Sequence, residues 1–111
     1  FIMSNAKAIT IPNAGTTSAA FEIGINAVRA LELPAAMTNT SVKFQGSLTQ
    51  AGTYKDIYHN GVLVSVSATA STWQGVSPSM LLGYPWLKLV ATGVGNEAAD
   101  RVINVLYEDV I

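Results

Sequence analysis

A chain of 111 residues with formal net charge −1, no cysteine, half of its residues hydrophobic and only 12% charged reads as one folded domain, not as a disordered or highly solvated segment. The six cations, Lys7, Arg29, Lys43, Lys55, Lys88 and Arg101, are scattered. That spacing argues against a basic patch for nucleic acid. Disulfides and thiolate metal sites are excluded by composition. No apolar run approaches the ~18 residues of a spanning helix, so no membrane partner is expected. The opening FIMSNAK lacks the charged region and apolar run of a signal peptide.

Residues 1–8, FIMSNAKA, precede the first clear strand, ITIPN, and are expected to form an N-terminal arm, leaving 9–111 as a single β-sandwich domain. Next, Phe21, Ile23, Ile25 and Ala27 alternate with Glu22, Gly24 and Asn26, the period of a half-buried strand. In ALELPAAM, Pro34 breaks a helical reading and favours a strand end with a bulge, followed by a loop. SVKFQGSL puts Val42, Phe44 and Leu48 on one face.

Asn60-Gly61 between alternating apolar runs signals a two-residue type I′ hairpin, whose central positions both need positive φ. This register pairs His59 with Val62, Ile57 with Val64 and Lys55 with Val66 on a core face. The other face pairs Tyr58 with Leu63, Asp56 with Ser65 and Tyr54 with Ser67. SPSMLLG then offers Ser77 as N-cap, Pro78 as first helical residue and Gly83 as terminator, the signals of one helical turn near 77–83 that caps the core with Met80 and Leu81. WLKLVAT turns Leu87, Leu89 and Ala91 inward. RVINVLYED is apolar on both sides, with Ile103, Val105 and Tyr107 facing one way and Val102 and Leu106 the other, as in a strand covered on both faces. Seven or eight short strands without a long helical period predict an all-β, antiparallel, jelly-roll-like sandwich.

Chemistry is thinly supplied. His59 is the only histidine and has no converging carboxylate, because Asp56 falls on the opposite face of the hairpin, so it reads as a half-exposed residue beside a turn. No G-x-S-x-G elbow accompanies the serines. GVGNEA, residues 93–98, has the form of a dinucleotide fingerprint, but an alternating strand follows it where a long helix is required. Asn39 in NTS is a glycosylation acceptor in form only, and the adjacent Glu108 and Asp109 diverge on a strand. With no acid, base and nucleophile converging, neither an enzyme, a cofactor nor a metal site is expected. The large aromatics remain. Tyr54 and Tyr58, with Leu63, have the amphipathic character of interface material, while Trp73 and Trp86 suit either rim packing or a partner surface.

The run SVKFQGSLTQAGTYKDIYHNGVLVSVSATASTWQGVSPSMLLGYPWLKLVATG, with EAADRVINVLY after it, resembles a group of small virion structural proteins of tailed bacteriophages, over residues 31 to 107. The resemblance implies a capsid decoration (cement) protein on the surface of the virion, or else a neck or tail component. The strand order is also similar to discoidin-like jelly rolls, many of which bind carbohydrate through end loops. The implied partners are the major capsid protein or another virion protein, together with sister copies in a homo-oligomer. The partner-binding residues expected are Phe1 and Ile2 of the arm, Tyr54, Tyr58, Leu63, Trp73 and Trp86. The competing class is a carbohydrate-binding module for host attachment, built on Trp73 or Tyr84 with Asn96 and Gln74.

Overall fold

The structure, a computed structural model, describes residues 3–109. Its strands in chain order are β1 (Met3–Ile11), β2 (Phe21–Glu22), β3 (Ala27–Glu32), β4 (Ser41–Ser47), β5 (Lys55–Asp56), β6 (Tyr58–His59), β7 (Val62–Leu63), β8 (Ser65–Ser67), β9 (Trp73–Gly75), β10 (Trp86–Thr92) and β11 (Arg101–Asp109). They form two antiparallel layers. One has the order β1-β11-β3-β9, and the other runs β2-β10-β4-β5 with β8 also on β4. The expected all-β sandwich is therefore the fold, and the chain crosses between the layers from β1 to β2, β2 to β3, β3 to β4, β8 to β9, β9 to β10 and β10 to β11.

Period-two patterning explains which faces meet. Ile11, Val28, Leu31, Ile103 and Val105 of the first sheet pack against Val42, Phe44, Leu87, Leu89 and Ala91 of the second in one buried cluster. Each fully buried aliphatic side chain contributes ~1.5–3 kcal/mol of transfer free energy, enough collectively to hold a domain that has no cross-links. The turn at SPSMLLG is a 3-10 helix, Pro78–Met80, with Pro78 in its first turn; Ser77 makes no side-chain cap bond. Leu81 behind it is fully buried and Met80 packs against the core, so the pair plugs the sandwich as expected.

Several local expectations are corrected. From Met3 onward the supposed arm is strand, paired residue by residue with β11 from Met3↔Asp109 to Ile11↔Arg101; Phe1 and Ile2 lie outside the described residues. Ile25 and Leu48, placed on core faces by alternation, are 78% and 83% exposed. Gly24 adopts φ 59°, which ends the first run at Ile23, and Ser47 takes the buried position that Leu48 would have needed. The bulge falls within β3, where Arg29 is the extra residue between the pairs Leu106↔Ala30 and Tyr107↔Val28, not in ALELP. Val102 and Leu106 are not covered on their side of β11; Val102 stays 47% exposed.

The hairpin is half as expected. His59↔Val62 and Tyr58↔Leu63 pair around Asn60 (φ 52°) and Gly61 (φ 78°), and the Val64 amide donates to the Ile57 carbonyl at 2.9 Å. Beyond that the arms separate, because β4 offers both of them a better partner. Lys55 and Asp56 pair with Gly46 and Gln45, while Ser65, Val66 and Ser67 pair with Lys43, Val42 and Ser41. The expected pairs Lys55–Val66, Asp56–Ser65 and Tyr54–Ser67 do not form. Residues 58–63 thus project as a small hairpin from the sheet edge, and Val62, expected in the core, is 68% exposed. Gly61→Val should cost about 1 kcal/mol or more, since a β-branched residue resists positive φ; urea unfolding of the variant checks this.

Candidate functional site

The two ends of the sandwich differ in kind. At one end, the loop 48–54, the projecting hairpin and the segment before β10 enclose an open cleft of about 570 Å³, with Leu48, Ile57, Tyr58 and Tyr84 on its apolar side and Lys55 and Asp56 at its polar margin. The absence of a side chain at Gly46 shapes it. A Cβ there would lie 2.7 Å from Tyr84 Cδ1 and 3.0 Å from Ile57 Cδ1, so Tyr84 rests on bare backbone. Tyr58 is 59% exposed on the rigid type I′ hairpin, while Leu63 opposite it is half-buried. An aromatic ring held this way loses little entropy when a partner covers it.

The margin is electrostatically ordered. Asp56 accepts from Gln45 Nε2 at 2.9 Å and from Lys43 Nζ at 3.0 Å. The Gln45 hydrogen bond and then the Lys43 ammonium hold its carboxyl below the usual aspartate range. Tyr54 is not part of the cleft lining. Its hydroxyl donates to the Gln50 carbonyl at 2.8 Å and its ring lies 4.4 Å from Lys88 Nζ, which fixes it to the outer face of the second sheet. Trp86 is half-buried on β10 between Glu22 and Ser47 in register. Trp73, 53% exposed, stands on β9 at the edge of the other sheet. The structure therefore brings Tyr58 and Leu63 together as expected, adds Tyr84 and Leu48 to them, and sets Tyr54, Trp86 and Trp73 apart. His59 sits half-buried beside its turn, opposite Val62.

The opposite end carries a buried anion that sequence reading passed over. Glu97, 1% exposed, accepts from the Thr38 amide (2.8 Å), the Asn39 amide (3.1 Å), Asn39 Nδ2 (2.6 Å) and Arg101 Nε (2.9 Å). Its backbone also ties in the first loop: the Ala14 amide donates to the Glu97 carbonyl, and the Glu97 amide to the Gly15 carbonyl. Asn39, 3% exposed, turns its Oδ1 to the amides of Val94 and Gly95, so the NTS asparagine is a buried strut. Gly93 (φ 126°) completes the contact, because a Cβ there would collide with Thr40 Oγ1. Burial alone would raise the Glu97 carboxyl; the hydrogen bonds from Thr38, Asn39 and Arg101 outweigh it and hold the group at about 2. The Glu97 side chain joins the 38–39 segment to Arg101 at the start of β11, and its backbone adds the loop at Ala14 and Gly15.

Among the described residues no three His, Cys, Asp or Glu side chains converge as metal ligands. The carbohydrate-site residues considered from the sequence are also dispersed. Tyr84 lies in the cleft, Asn96 lies in the β10–β11 loop at the other end, and Gln74 and Trp73 point to opposite faces of β9.

The solved crystal structure of the SPBc2 prophage-derived protein YomS is similar over 96% of this chain and 96% of its own, with a TM-score of 0.57 and 12% identity. At that identity the likeness is one of fold. No family model and no curated protein matches the chain.

Proposed function

We propose that this is a structural protein of a tailed-phage particle, a decoration protein that binds and stabilises the head shell through the Tyr58 end of the sandwich and performs no turnover. The observation that carries the reading is the exposed Tyr58 on a rigid hairpin, beside an open cleft floored by Tyr84 and Ile57. That arrangement suits an anchor that inserts against a neighbouring protein. The resemblance over residues 31 to 107 and the likeness in fold to a prophage-derived protein support the same direction. Repetition over a shell allows each contact to be modest, since neighbouring copies raise one another's effective concentration.

Tyr58→Ala is expected to weaken binding to particles stripped of the protein by at least about tenfold, as loss of a central aromatic anchor does. Its melting temperature should stay within about 2 °C of the parent, because the ring packs mainly against solvent. Co-sedimentation with stripped particles and a thermal melt read the two quantities. Unchanged particle binding would refute this docking end, and binding to tails instead of heads would move the protein to the neck or tail.

A second reading is favoured by the cleft itself, where two tyrosines flank a polar margin of Lys55 and Asp56. This is an arrangement that could stack and hydrogen-bond a sugar ring. A glycan array separates the readings: micromolar glycan binding lost in Tyr84→Ala, with no affinity for stripped particles, selects the carbohydrate module.

A further inference from the structure

The outer face of the β1-β11-β3-β9 sheet carries apolar surface that neither reading uses, including Trp73 and Val102. Register and burial define it. Ala6, Leu106, Ala30 and Gly75 form one row across the four strands, and Ala8, Asn104, Glu32 and Trp73 form the next. Thr10 and Val102 follow, with Val102 47% and Trp73 53% exposed. The polar groups within these rows are already matched, as Asn104 Nδ2 donates to Glu32 Oε1 at 2.8 Å. At the rim Arg29 Nη1 lies 3.6 Å from Glu108 Oε2. A solvated outer face of an antiparallel sheet ordinarily alternates to polar residues. This one is floored by alanine and glycine.

We propose that two copies of this chain pair face to face through this surface, about a two-fold axis that runs along the strands between β11 and β3. The register itself makes the face complementary under that operation. The axis exchanges β1 with β9 and β11 with β3, so each residue meets the one at the mirrored position in its own row. Trp73 then stands over Ala8, Leu106 over Ala30, and Gly75 over Ala6. The Asn104–Glu32 pair meets its own counterpart, and Arg29 of each copy approaches Glu108 of the other. Large side chains fall on small ones and opposite charges face each other, which is what an isologous contact requires. Strands of the two copies run in line, the aligned mode of sheet-on-sheet packing.

The pairing is weak by its dimensions. Four strands at ~4.8 Å spacing and five residues at ~3.4 Å give a footprint of roughly 300 Å². A standard stable interface buries about 800 Å² per partner. The dimer therefore forms at high concentration in solution, and more fully where copies are held side by side. This inference does not depend on the shell-docking reading and survives its failure.

Sedimentation of the full chain from about 10 μM to about 1 mM is expected to show a concentration-dependent approach to twice the monomer mass. Ala8→Glu, a surface change in the monomer, should weaken association at least about tenfold without lowering the melting temperature, because it buries a carboxylate against the electron-rich face of Trp73 and beside Glu32 of the other copy. The absence of native cysteine permits a second test. In Ala8→Cys/Trp73→Cys the two thiols of one copy are three strand spacings apart, about 14 Å, whereas facing sheets bring position 8 of one copy to about 10 Å from position 73 of the other. A bismaleimide with a thiol-to-thiol reach of about 10 Å should give a covalent dimer, seen on a denaturing gel. A monomer at every concentration, association unaffected by Ala8→Glu, or failure of the cysteine pair to cross-link would overturn the proposal; in the first case the face is left to a different protein.

Discussion

Glu97→Ala should lower the unfolding free energy by about 3 kcal/mol and the melting temperature by roughly 12 °C or more, even though the residue lies in a connection and not in a strand. The substitution strips the Thr38 and Asn39 amides, Asn39 Nδ2 and Arg101 Nε of their shared acceptor, and buried donors without partners carry their full desolvation cost. The same group confers acid sensitivity on the parent. Its folded pKa, about 2, lies below the ordinary 4.5. The contribution is therefore fully present above pH 4.5 and is lost as pH falls toward 2, amounting to about 3 kcal/mol over that window. Asp56, also lowered, adds in the same direction. Urea unfolding at pH 7, 4.5 and 3 should show a steep decline for the parent and a shallower one for Glu97→Ala; equal slopes would remove Glu97 from the account.

Phe44→Ala is expected to cost about 4 kcal/mol, the upper range for a core aromatic, and to loosen the Tyr58 hairpin as well. The ring is fully buried between the sheets. The backbone of the same residue is where the edge strand departs and returns: the Ile57 amide donates to the Phe44 carbonyl at 3.1 Å, and the Phe44 amide donates to the Val64 carbonyl at 3.3 Å. A cavity there removes support from both feet of the hairpin. Amide hydrogen exchange should accelerate at Ile57 and Val64 more than at Val105, which lies on β11 in the opposite sheet. A uniform acceleration would mean that the loss is global and the hairpin is not specifically tied to this ring.

Local chemistry was legible where a single stretch decides its own geometry. Asn60-Gly61 dictated its turn because few residues tolerate two successive positive φ values. The inward faces of 87–91 and 103–105 followed from alternation. Misreadings arose where a distant strand intervened. Both arms of the hairpin paired with β4 and not with each other, and nothing between residues 54 and 67 encodes that competition. Tyr54 looked available because the lysine that holds its ring is 34 positions away. Glu97 was overlooked for the same reason. Its donors at Thr38 and Asn39 lie 59 and 58 residues upstream, and the only local hint was a lone acid in a glycine-rich connection with Arg101 four positions on. Val102 and Leu106 misled in another way: apolar residues on both sides of β11 read as a strand covered on both faces, yet among the described residues Val102 stays 47% exposed.

The interleaved strand order bears on how the polypeptide acquires its shape. β10 separates β2 from β4 in one layer, and β11 separates β1 from β3 in the other, so the middle strand of each sheet follows in sequence both of the strands that it joins. Until residues 86–109 are synthesised, β1 and β2 have no neighbour to pair with. Pairs such as β3–β9 and β4–β8 can form before them, but closing both layers joins segments far apart along the chain, a topology that folds slowly.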